Sequence, residues 1–142
     1  MTRDEARAVE HDCARHILDF YEAFDLGQYD RMAAMFTPQG VWHRAGLALC
    51  GPAIVAELEK RPATQRVRHV VTNVRVEAMD PERAQASFVI TAYRGDASAP
   101  LPAGGLAGAL WLVVRVQASL VWRDGQWAFA SQSTQREFVF SG

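Results

Sequence analysis

Apolar residues in the first segment, about Asp4 to Leu26, recur at three- and four-residue steps. Cys13, Ile17, Phe20, Tyr21 and Phe24 fall on one side, with Arg15, Asp19 and Glu22 opposite. That spacing predicts an amphipathic helix, and Gly27 marks its end. A second, shorter helix is predicted from Tyr29 to Phe36, offering Met32, Met35 and Phe36 to a core before Thr37-Pro38 closes it. Gly40 to Ala45 reads as a brief strand. Gly51-Pro52 opens a third helix, since proline at a first helical position costs no hydrogen bond. That helix presents Ile54, Val55 and Leu58 and stops at Arg61-Pro62.

Further along, the period changes from helical spacing to alternation. Strands are predicted over Arg66–Met79, Arg83–Arg94, Leu106–Arg123 and Gln126–Phe140. Asp80-Pro81-Glu82 is a turn, and Asp124-Gly125 between two aromatic-rich strands is a strong hairpin signal. The stretch from Gly95 to Gly105, rich in Ala, Gly and Pro, reads as a loop that is mobile or ordered only by a partner or ligand. Three helices followed by a meandering sheet make an α+β pattern in a single domain over residues 1–142. Strands this long twist and curl. The three N-terminal helices then close the concave side of a curved antiparallel sheet into a cone with an apolar hollow.

Candidate chemistry centres on the strand Arg68-His69-Val70-Val71-Thr72-Asn73. Alternation puts His69, Val71 and Asn73 on one face. An imidazole and an amide on one strand face can begin an acid/base pocket, because histidine titrates near neutral pH. The competing reading is a buried histidine held by a structural hydrogen bond. His11 and His16 lie five apart on the first helix and do not share a face, and no other cluster has metal-ligand spacing. Neither a metal nor another cofactor is expected.

Composition narrows the classes. The chain has 142 residues, 49% hydrophobic and 22% charged, which is ordinary for a globular domain. Fifteen basic residues against sixteen acidic ones leave a net charge of −1, without the basic excess of a nucleic-acid binder. All but one of the basic residues are arginine, Lys60 being the exception, and arginine keeps its charge when partly buried. Cys13 and Cys50 read as inert packing residues. With no apolar stretch long enough for a bilayer and no secretory signal, the sequence reads as a soluble cytoplasmic domain.

The segments Phe20-Tyr21-Glu22-Ala23-Phe24-Asp25-Leu26-Gly27-Gln28-Tyr29-Asp30, Met35-Phe36-Thr37-Pro38-Gln39-Gly40-Val41-Trp42 and Gly51-Pro52-Ala53-Ile54 resemble a known family. So do Arg68-His69-Val70-Val71-Thr72-Asn73-Val74 and Trp122-Arg123-Asp124-Gly125-Gln126-Trp127. They are similar to the SnoaL-like domains of the nuclear transport factor 2 superfamily, which also holds scytalone dehydratase, ketosteroid isomerase and the small subunits of ring-hydroxylating dioxygenases. The resemblance implies a curved-sheet cone, paired as a homodimer through its outer sheet face. It places the dehydratase's helix-end aspartate on Asp25 and its pocket histidine on His69, an acid-oriented imidazole that moves protons. The dehydratase's two water-holding tyrosines fall on Phe24 and Arg44. The oxyanion tyrosine of the isomerase falls on Phe20, and its general-base aspartate falls on Arg44, or on His43 after a one-residue slip. Which of Trp42, His43 and Arg44 points inward therefore stays open.

Asp25 and His69 are thus the candidate catalytic pair, although Asp25 reads equally well as a turn cap. Candidate substrate-binding residues are Asn73, Arg44, Trp42, Phe24, Phe20 and Tyr93. One strand arginine projecting into the cone would hold an anionic group; the competing reading turns them all to solvent. The expected function is a cofactor-independent lyase or isomerase acting on a small apolar, aromatic or polycyclic molecule. The alternatives are a non-catalytic binding module for such a molecule and a scaffold resembling the dioxygenase small subunit.

Overall fold

A computed structural model describes residues 1–140; the last two positions of the domain expected over 1–142 lie outside it. Helix α1 runs over Arg3–Asp25. Its N-terminus is a capping box: the Glu5 amide donates to Thr2 Oγ1 at 3.1 Å, and the Thr2 amide donates to Glu5 Oε2 at 2.7 Å. The apolar stripe read from the sequence is the buried face, with Cys13, Ile17 and Phe20 fully covered. Gly27, at φ +71°, makes the left-handed turn out of the helix. Helix α2 covers Tyr29–Ala34 and α3 covers Pro52–Leu58.

Six strands follow or interleave: β1 Phe36–Arg44, β2 Leu47–Cys50, β3 Gln65–Asp80, β4 Arg83–Pro100, β5 Leu106–Arg123 and β6 Gln126–Val139. They form one sheet in the order β2-β1-β6-β5-β4-β3. The expected α+β architecture of three helices on a curved sheet is present. The sheet is mixed, however, because β1 runs parallel to β6, with Val41 opposite Ser131 and His43 opposite Ser133. Phe36 belongs to this parallel pair rather than to α2, facing Phe129 across the ladder. No strand signal in the sequence marks β2. It is four residues long and folds back on β1 through Ala45-Gly46, both at positive φ. Ala45 in that position is atypical, so the turn keeps only Gly46 and lacks the Asn-Gly or Asp-Gly pair that marks such hairpins.

Two other departures concern β3 and β4. β4 continues to Pro100, which pairs with Leu106, so the loop expected over Gly95–Gly105 shrinks to the turn around Leu101–Gly105. At Asn73 (φ +54°) the β3 ladder skips between Thr72 and Arg75, the mark of a bulge that shifts which side chains face the core. The Asp124-Gly125 hairpin is as read, both residues lying at positive φ. No helix among the described residues is long and apolar enough to cross a membrane.

The core sits between α1 and the sheet. Phe20 touches Phe36, Trp42 and Phe129 edge-on or nearly so, at ring-centre distances of 5.7, 5.3 and 5.3 Å. Gly40 permits the close approach of β1 to β6: a Cβ there would lie 2.7 Å from the Phe129 carbonyl oxygen and 3.0 Å from Phe36 Cβ. Gly40→Ala is therefore expected to destabilise the fold by about 1–3 kcal/mol, as overpacking against backbone does. A urea midpoint unchanged from wild type would contradict this packing.

Candidate active site

A hollow of about 60 Å³ lies between the end of α1 and the inner sheet face, lined in part by Tyr21, Phe24, Trp42, His69, Ile90 and Trp111. It is several times the roughly 10–15 Å³ that one water needs. The strands supply alternate residues. On β1, Trp42 is buried and Arg44 lines the hollow, while His43 is exposed, which resolves the register left open by the sequence. On β3, His69 faces inward between Val67 and Val71.

Asp25 is the last residue of α1, and its carboxylate reaches β3 directly. Asp25 Oδ1 is 2.7 Å from His69 Nδ1, and the His69 amide donates to Oδ1 at 3.0 Å and Oδ2 at 3.3 Å. Both side chains are nearly covered, His69 at 7% and Asp25 at 9% exposed. Arg68, on the opposite face, stands 3.8 Å from Oδ2. A carboxylate that accepts at Nδ1 fixes that nitrogen as the protonated one and leaves Nε2 as the basic ring nitrogen. The imidazole is clamped between aromatics, 4.3 Å from the Phe24 ring centre and 5.5 Å from that of Tyr21.

Burial is the largest influence on His69 and pushes its pKa below the ordinary 6.5. The hydrogen bond and charge of Asp25 pull upward, and the charges of Arg61 and Arg44 add to the lowering. The ring is therefore neutral at physiological pH and can accept a proton. Burial likewise raises the Tyr21 phenol far above its usual value, so it stays protonated and donates to Gln132 Oε1 at 2.8 Å.

His16 is structural: its Nε2 is 3.1 Å from the Met35 carbonyl, and burial lowers its pKa too. A base with a folded pKa below its unfolded one binds more protons when unfolded, so stability rises with pH. His16 and His69 should together make the melting temperature fall as pH drops from about 6.5 through their lowered values. Thermal melts between pH 7 and 5 check this, and a melting point that climbs over that interval contradicts it.

Of the sequence candidates, the structure brings His69, Asp25, Phe24, Trp42 and Arg44 together. Asn73 is displaced: the bulge turns it out of the His69 face, and it is exposed. Tyr93 is 46% exposed and lies outside the hollow, because the alternation on β4 buries Ala92 and leaves Tyr93 on the outer side. Phe20 is fully buried in the aromatic core behind Trp42 rather than on the lining. Residues not singled out from the sequence also line the hollow: Tyr21, Arg61, Thr134 and Arg136. Thr134 and Arg136 stand two apart on β6, so alternation alone could have flagged them as a pair. Arg61 had read only as a helix stop. Among the described residues, no group of three or more His, Cys, Asp or Glu side chains could hold a metal ion.

Comparison with known proteins agrees with this architecture. The sequence profile of the SnoaL-like domain matches residues 6–132. A candidate scytalone dehydratase of Novosphingobium aromaticivorans superposes with a TM-score of 0.82, at 16% identity, over 98% of this chain and 91% of its own. A hexachlorocyclohexane dehydrochlorinase from Novosphingobium barchaimii gives a TM-score of 0.79, at 16% identity, over 98% and 93%. A protein of Catenulispora acidiphila, solved in complex with S-DNPA, is 25% identical over 92% and 94%, with a TM-score of 0.73. None of the curated proteins matches the chain. The likeness to the two Novosphingobium proteins is one of fold, whereas the profile match covers most of the sequence. This chain belongs to the SnoaL-like domain family.

Proposed function

We propose that the protein is a lyase or isomerase that moves a proton on a small, largely apolar ring compound, with His69 as the acid/base and Asp25 as its positioning partner. The observation that carries this reading is the 2.7 Å contact between Asp25 Oδ1 and His69 Nδ1 on the wall of a hollow. In the forward step Nε2 takes a proton from an acidic C–H of the substrate. The electron pair from that bond moves into an adjacent carbonyl, giving an enolate. The Asp25 carboxylate stabilises the imidazolium that forms, while the Arg61 charge, which also acts on His69, favours the negative oxygen. Return of the proton to another carbon completes an isomerisation; loss of a β-leaving group completes an elimination. The names of two fold neighbours, a dehydratase and a dehydrochlorinase, describe reactions of the second kind.

Deuterium exchange tests the proton step without knowledge of the natural substrate. The α-protons of 2-tetralone, followed by NMR in D2O, should exchange faster with wild-type protein than in buffer alone. His69→Asn should lose that acceleration. Wild-type exchange rates in the variant would overturn the role given to His69.

A further inference from the structure

The hollow is lined by three arginines, Arg44, Arg61 and Arg136, and by no aspartate or glutamate. Asp25 stands behind His69 and is engaged by it and by Arg68. Among the described residues, none of the three arginines belongs to an ion pair or donates a side-chain hydrogen bond. Arg44 is the informative one. Its Nη1 is fully buried with no protein acceptor, and the same holds for Nε1 of Trp42, another residue of the lining. Buried donors without acceptors are costly, a charged one most of all, so their persistence at one spot needs an explanation.

Aromatic faces hold these cations without neutralising them. The Arg44 guanidinium carbon lies 4.5 Å from the Trp42 ring centre and 5.5 Å from that of Phe24. That of Arg61 lies 4.5 Å from Phe24 and 5.9 Å from Trp111. Stacking of this kind offsets part of the desolvation and leaves the N–H groups unused. The positive charges also oppose one another: burial first, then Arg44, brings the Arg61 pKa down to about 10. An arrangement of mutually repelling, unpaired guanidiniums beside flat aromatic walls is complementary to one kind of molecule.

Resting on the site described under Proposed function, we propose that its ligand is a planar ring acid, whose carboxylate is held by Arg44 with Arg61 and Arg136 around it and whose ring lies against the aromatic walls. A carboxylate supplies acceptor oxygens for the fork of a guanidinium and for the Trp42 indole N–H, and its negative charge relieves the repulsion among the arginines. A ligand with no anionic group would leave the arginine charges uncompensated, as the sequence reading of an inward arginine holding an anionic group also implies.

Isothermal titration calorimetry of the whole protein with benzoate and 2-naphthoate, each against its uncharged amide of the same shape, tests the assignment. At least one acid should bind tighter than its amide by on the order of tenfold, a difference typical of one charge-assisted contact. Arg44→Gln should erase the preference, and Arg136→Gln should weaken it. His69→Asn should keep the preference while losing tetralone exchange, so failure of the acid/base role and failure of the anion site give different results. Equal binding of acid and amide by wild-type protein, binding of neither, or a preference that survives Arg44→Gln would overturn the proposal. The wild-type comparison stands even if a variant does not fold.

Discussion

Replacing His69 with alanine is expected to lower proton-transfer turnover by about two to four orders of magnitude, the usual contribution of a positioned general acid or base. The geometry leaves no substitute on the lining. Tyr21 keeps its proton because burial raises its pKa, and it donates to Gln132. The arginines have no acceptor capacity. Asp25 lies behind the imidazole, held by His69 Nδ1 and by the His69 amide. His69→Asn leaves a smaller hole between Phe24 and Tyr21, so it separates lost chemistry from lost packing. Asp25→Asn should lower turnover as well, for a different reason. Its amide can offer N–H to Nδ1, which reverses the tautomer and leaves Nε2 protonated. The acid limb of its residual rate profile should move to lower pH, because Asp25 is what raises the His69 pKa against burial. A purely structural Asp25 would leave the pH profile in place.

The second large effect concerns stability. Phe20→Ala should cost about 3–5 kcal/mol, the range for removing a fully buried aromatic ring. Phe20 has 0% exposure and contacts the rings of Tyr21, Phe36, Trp42 and Phe129. It ties α1 to β1 and β6, the two strands whose parallel pairing carries Trp42 and Arg44 into the site. Domains of this size have about 5–15 kcal/mol in total, so the variant should be marginally folded at best. Urea denaturation reads the loss directly; a cost below about 1 kcal/mol would mean that the aromatic cluster repacks freely.

The helices were legible because their apolar stripes are long and each has a terminus signal, Gly27 after α1 and Pro52 opening α3. The Asp-His pairing was legible only through resemblance, since forty-four residues separate Asp25 from His69 and no local pattern links them. Asn73 was misplaced for a local reason: alternation assumes an unbroken ladder, and the bulge breaks it. The left-handed backbone there suits asparagine, a hint that periodicity does not weigh. The Trp42–Arg44 register waited on β6, because the parallel partner and the tight seat of Gly40 fix which side chains turn inward. The strand run to Pro100 is not legible in the sequence because Ala, Gly, Ser and Pro are weak strand formers on their own, and pairing with β5 overrides that preference. The arginine-lined wall assembles from α3's end, β1 and β6. Only the fold could bring those three segments together.

Long-range proton–nitrogen NMR of the His69 ring, assigned by comparison with His69→Asn, reads the tautomer and charge of the imidazole itself. At neutral pH the ring should be neutral, with its proton on Nδ1 and a bare Nε2, and should titrate below 6.5. A ring protonated on both nitrogens at neutral pH, or one carrying its only proton on Nε2, would contradict the role of His69 as the base.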